Sequence, residues 1–181
     1  MAALLLLATG GVASEGWWSL QPLAKVDLPS DGLAKHPIDA FVQQRLAKDG
    51  LTPSPPAEPR TLIRRLHFDL LGLSPSPETV AEFVGNPTDP AYHQLIDRLL
   101  ASPRYGERWA RHWLDVARYG ESNGFEYNEP RRNAWPYRDW IIDSINADMP
   151  YDEFARMQIA GDILLPGPKG AAAVGFLVAG T

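Results

Sequence analysis

The segment from Asp115 to Asp139 concentrates the side chains best suited to chemistry: Asp115, Arg118, Glu121, Asn123, Glu126, Glu129, Arg131, Arg132, Arg138 and Asp139. They surround a polar loop, residues 120–134, framed by two aromatic segments, the first carrying Trp109 and Trp113. Carboxylates facing guanidiniums beside indoles are what a sugar or anion site uses: acids for proton transfer, guanidiniums for oxyanions, rings for stacking. Glu121 and Glu126 offer an acid/base pair of the kind that cleaves glycosides, although sequence spacing fixes no distance between them. The alternative is an Arg–carboxylate network that ties a long loop to its flanking helices, and such networks are commonly structural. The network reading predicts that Glu121→Gln lowers stability.

Other chemistries find less support. Glu121, Asn123, Glu126, Asn128 and Glu129 are hard oxygen ligands, but their glycine and acidic positions are out of register with a calcium-binding helix–loop–helix, so no metal site is assigned. The four histidines, His36, His67, His93 and His112, form no close pair of the kind that opens a zinc site. His112, between Trp109 and Trp113, reads as a hydrogen-bonded core histidine. A glycine-rich phosphate loop, a nucleophile elbow and a Ser-His-Asp order are not apparent, and no catalytic residue is assigned.

Helices must position these side chains. Apolar residues recur at helical spacing in Ile38, Phe41, Val42 and Leu46; in Leu62, Ile63, Leu66, Leu70 and Leu71; and in Tyr92, Leu95, Ile96, Leu99 and Leu100. A helix opening at Ser102-Pro103 and running to about Tyr119 puts Trp109, His112, Trp113 and Val116 on one face, expected to anchor the core. Arg108, Arg111, Asp115 and Arg118 occupy another face, with Asp115 within reach of both Arg111 and Arg118. Further helices are expected from Ser76-Pro77, over 136–147 and over 151–164. Ser-Pro openings read as a cap followed by a first-turn proline, and TPSPPAEP, residues 52–59, as a connector. The fold class is therefore all-α, an irregular orthogonal domain of about seven helices with long proline-rich loops.

Composition limits the partners. The 181 residues suit one domain with a real core, and 22 acidic against 17 basic residues give a formal charge of -5, which supplies no phosphate-collecting field for nucleic acid. The absence of cysteine removes disulfides, zinc thiolates and covalent haem from this chain. Residues 1–14 read as a signal peptide, with an apolar run from Ala2 to Ala8 and small residues for cleavage near Ala13 or Ser14. That places the protein outside the cytoplasm, in the periplasm or at the cell surface, with no membrane span in the mature chain. Residues 15–35 are expected as an extended arm, its Trp17-Trp18 pair tucked onto the domain, and 36–181 as the helical domain. The apolar stretch AAAVGFLVAG before Thr181 looks like a fold cut short.

Several strings in order carry a resemblance: WWSLQPL (17–23), HPIDAFV (36–42), LIRRLHFDLLGLSP (62–75), YGERWARHWLDVARYGESNG (105–124), AWPYRDWIIDSIN (134–146) and QIAGDILLP (158–166). On these the chain resembles the planctomycete cytochrome c-associated family, a PSCyt-type domain of unknown function in large exported proteins. Two positions depart from the family pattern: Glu121, where Asp is common, and Pro136, where another residue is common. The resemblance implies neighbouring domains in the same polypeptide as partners. It also implies a Cys-x-x-Cys-His haem motif beyond the equivalent of Thr181, so haem c would belong to the full-length protein and no cofactor to this chain. A periplasmic or surface redox role follows as its functional implication. A carbohydrate-binding or carbohydrate-processing domain, with polysaccharide as partner, and a purely structural scaffold are the alternatives.

Overall fold

The computed structural model describes residues 17–29, 36–124 and 129–180. The expected leader, residues 1–14, and the candidate Glu126 lie outside these. Among the described residues the chain is all-α, with eight α-helices, two 3-10 turns and no strand. It divides into two compact units between Pro55 and Pro56, inside the proline-rich connector.

The first unit holds a 3-10 turn, Trp18–Leu20, and helix α1, Pro37–Lys48. The His36 ring accepts the Ile38 amide at 3.2 Å and so caps α1. The second unit contains α2 (Pro59–Leu71), α3 (Pro77–Gly85), α4 (Asp89–Leu100), α5 (Pro103–Val116), α6 (Trp135–Asn146), α7 (Tyr151–Leu164) and α8 (Pro168–Ala173). A 3-10 turn, Val174–Val178, follows α8.

Proline makes this helical plan. Seven of the eight helices carry proline at one of their first two positions, where the missing N–H has no intrahelical partner to lose. Ser76, Thr88 and Ser102 add side-chain caps, accepting amides at 3.2–3.4 Å. Seventeen prolines and an all-α fold are thus compatible.

The second unit has two apolar clusters. Ile63 from α2, Phe83 from α3, and Leu95 and Leu99 from α4 form the smaller. Leu100, expected in that buried set, is exposed instead. The larger gathers Ala110, Tyr137, Trp140, Ile141, Phe154, Met157, Ala173 and Ala179 from α5 to the end of the described chain. Contacts between α2 and α5 join the clusters.

The inward face of α5 differs from the expected one. Gly106 and Ala110 are buried, with Trp113, Leu114 and Ala117 packed on the core, whereas Trp109 is 40% exposed and Val116 is 74% exposed. Small residues win this face because α6 crosses close to it. The Gly106 amide donates to Asn146 Oδ1 at 2.8 Å, and a Cβ at Gly106 would lie 2.5 Å from Asn146 Cγ. Trp109 instead lies along the helix surface with Tyr105 and His112, ring centres 6.0 and 5.3 Å away. His112 is exposed rather than a core histidine. The buried histidine is His67, whose Nδ1 lies 3.0 Å from the Ile63 carbonyl and therefore carries the proton.

Past Pro166 comes the apolar stretch, for which periodicity assigns no element. It folds as α8 and the 3-10 turn, and α8 crosses α7 glycine to glycine. A Cβ at Gly170 would stand 2.1 Å from the Leu165 carbonyl oxygen and 2.2 Å from that of Gly161. Here helix contact requires glycine by close approach.

Candidate functional site

The loop at residues 120–134 begins where α5 ends. The Arg118 amide donates to the Asp115 carbonyl at 3.1 Å, and the Tyr119 amide to Leu114 at 2.9 Å. This is the double bond pattern of a Schellman ending, with Arg118 at φ +54°, a place usually taken by glycine. The turned backbone directs Tyr119 toward the loop and takes Arg118 off the surface of α5. Asp115 and Arg118 are both exposed, and the expected pairing of Asp115 with Arg111 and Arg118 does not form among the described residues.

Two backbone bonds pinch the loop shut. The Asn123 amide donates to the Glu129 carbonyl at 3.0 Å, and the Arg131 amide to Glu121 at 2.8 Å. Asn123 contributes this backbone bond and leaves its side chain exposed.

Glu121, Arg138 and Asp139 come together at the start of α6. Arg138 donates from Nη1 to Glu121 Oε1, and reaches Asp139 Oδ1 from Nε at 3.0 Å and from Nη2 at 2.9 Å. The Tyr119 hydroxyl donates to the same Glu121 oxygen at 3.1 Å. The Asp139 carboxylate, joined by Glu121, holds the Arg138 guanidinium above its usual range. Burial, and then the bond to Glu121, pushes the Tyr119 hydroxyl up to about 12. At neutral pH Tyr119 stays protonated and Arg138 charged, so both act as fixed donors rather than proton shuttles.

Arg131 is used differently. Its Nη1 donates to the Gly120 carbonyl at 3.2 Å and to Ala179 at 2.7 Å, and its Nη2 donates to the Val178 carbonyl. One guanidinium thus staples the loop to the segment after α8, across 48 residues of sequence. A cavity of about 270 Å³ lies against this staple, with Tyr119, Arg132, Asn133, Tyr137 and Ala179 in its walls. Arg132 is exposed at the cavity and forms no ion pair among the described residues.

Below the cavity is a closed polar set. Trp113 Nε1–H donates to Gln158 Oε1 at 2.8 Å and to the Tyr137 oxygen at 3.1 Å. The Tyr137 hydroxyl donates to Gln158 at 2.8 Å, and Gln158 Nε2 donates to the Phe154 carbonyl at 3.2 Å. Burial raises the Tyr137 hydroxyl above its usual range. Each buried polar atom in the set has a partner, which is what a specifying core network requires.

Of the ten side chains singled out in the sequence, Glu121, Arg138 and Asp139 therefore meet, Arg131 and Arg132 border the cavity, Asp115, Arg118, Asn123 and Glu129 stand apart, and Glu126 lies outside the described residues. Tyr119 and Tyr137 were missed. Their helical spacing marks them only as core or near-core aromatics, and the carbonyl acceptors at Val178 and Ala179 carry no side-chain signal at all. Haem finds no covalent anchor, because the chain has no cysteine. Among the described residues no cluster of three or more His, Asp or Glu side chains converges on a metal position.

No curated protein and no solved structure matches this chain. One family model does, across residues 37–181, the stretch that holds all eight helices and every element of the site. On that match the chain belongs to the PSCyt2 family, described as protein of unknown function (DUF1549).

Proposed function

We propose that the chain is a non-catalytic supporting domain of an exported, cytochrome c-associated protein, holding a haem module borne elsewhere in the same polypeptide. The observation that carries the non-catalytic part is the use of the charged loop. Arg131 is spent on three backbone carbonyls, and Glu121, Arg138 and Asp139 are spent largely on one another. Charges arranged this way hold a loop and a chain segment in place. The haem and export parts rest on the family resemblance and on the apolar run at residues 2–8.

The test is expression of this chain and of the whole polypeptide in a host with c-type haem maturation. Haem staining after denaturing electrophoresis is expected on the whole polypeptide alone, with the N-terminus of the protein from its native host cut near Ala13 or Ser14. Covalent haem on this chain, or an intact Met1 on cytoplasmic protein, would overturn the reading.

The cavity beside Tyr119, Arg132 and Asn133 favours a second reading, a carbohydrate-binding domain, since a ring face with polar side chains around it suits a sugar. Calorimetric titration with a panel of polysaccharides would support it if Tyr119→Ala abolished the heat of binding at unchanged stability.

A further inference from the structure

A second concavity, of about 370 Å³, lies between α6, the start of α7 and α8. It runs from Trp135 at one end of α6 to Met149 just past the other, so it follows a helix of 12 residues, about 18 Å at 1.5 Å per residue. Its floor is apolar: Trp140 and Met157 are buried, and Trp135 is 53% exposed. The charged side chains along it are Asp139, Asp143 and Glu153 against Lys169. Asp139 is already engaged by Arg138, while Asp143 and Glu153 are exposed and form no ion pair among the described residues.

An elongated apolar floor with an acidic edge selects its occupant. A compact ligand would leave much of the length empty, and an acidic or nucleic-acid partner would meet like charge. A basic amphipathic helix fits both features: apolar residues at one-turn spacing lie on Trp135, Trp140 and Met157, and Lys or Arg beside them face Asp143 and Glu153. Methionine floors adapt to varied apolar side chains, and an exposed indole adds cation–π attraction for a flanking Lys or Arg. We propose that this groove docks a basic amphipathic helical segment of a partner protein. The proposal stands apart from the haem reading and from the Arg131 staple; it shares with the loop reading only Asp139, whose carboxylate is already held by Arg138 and is not asked to bind the partner.

Fluorescence anisotropy on the full chain tests it. The probe is a labelled amphipathic Leu/Lys helix of about 15 residues, long enough to be helical, compared with its Leu/Glu counterpart and with spermidine. Binding of the Lys peptide is expected to weaken about tenfold with Asp143→Lys plus Glu153→Lys, and the same variant should gain affinity for the Glu peptide. Trp135→Ala should weaken binding and Lys169→Glu should strengthen it. These positions are exposed, and circular dichroism melts establish that each variant folds; should the double variant not fold, Trp135→Ala and Lys169→Glu decide alone. Equal binding of both peptides, or affinity indifferent to the reversed charges, would overturn the proposal. So would displacement of the peptide by equimolar spermidine, which would assign the groove to small amines.

Discussion

Glu121 and Arg138 meet in a short contact, yet their side chains remain 56% and 37% exposed. Water screens such a pair, and exposed ion pairs contribute about 0–1 kcal/mol. Glu121→Gln keeps an oxygen for Tyr119 and loses only the charge, so a stability loss of about 1 kcal/mol is expected in thermal melts. A loss above about 3 kcal/mol would show a buried, uncompensated arginine instead. Arg118 gives the opposite sign. It holds φ +54° without a glycine's freedom, and no bond of its side chain to the described residues offsets this. Arg118→Gly is therefore expected to raise unfolding free energy by about 1 kcal/mol in urea titrations. A decrease would show that the arginine side chain itself stabilises the turn.

Helix positions were largely legible in the sequence, because apolar spacing and proline openings act locally. The expected helix at 151–164 matches α7, Tyr151–Leu164, and Gly72 ends α2 at φ +69°. The orientation of α5 was not legible. Two tryptophans four apart look like the natural core face, but a close crossing by α6 rewards glycine and alanine, and periodicity does not report which neighbour comes close. Trp113 alone is tied in, through Gln158 and Tyr137 and through edge-on contact with Phe154, ring centres 4.9 Å apart. Trp113→Ala should cost about 3–5 kcal/mol, and Trp109→Ala under about 1.5 kcal/mol because the indole is already partly in water. Comparable losses in chemical denaturation would restore the expected face. At the α7–α8 crossing, Gly170→Ala should cost about 1–3 kcal/mol through overpacking, read in the same titration.

On the scale of the whole molecule, the site's legibility fails for a physical reason. Composition and local spacing singled out Glu121, Arg138 and Asp139, which lie within 18 residues of one another, counting from Glu121 to Asp139, and which the fold brings into contact. The staple from Arg131 to Val178 and Ala179 uses backbone acceptors, and any residue could supply them. The stability of the whole unit should also carry a pH signature. Burial lowers the His67 pKa below its ordinary 6.5, so the unfolded chain takes up a proton there that the folded chain refuses. Stability is then fully present above about pH 6.5 and falls as pH drops below it. His67→Gln should flatten this slope between about pH 5 and 7, and an unchanged slope would remove His67 as its source.

Arg131→Met tests most directly whether the charged loop is a structural staple. Removing three charge-assisted bonds to carbonyls should lower unfolding free energy by about 2–3 kcal/mol and speed amide exchange across residues 174–180. Unchanged stability and exchange, accompanied by loss of a ligand or of turnover in the whole polypeptide, would contradict that role and make the loop a working site.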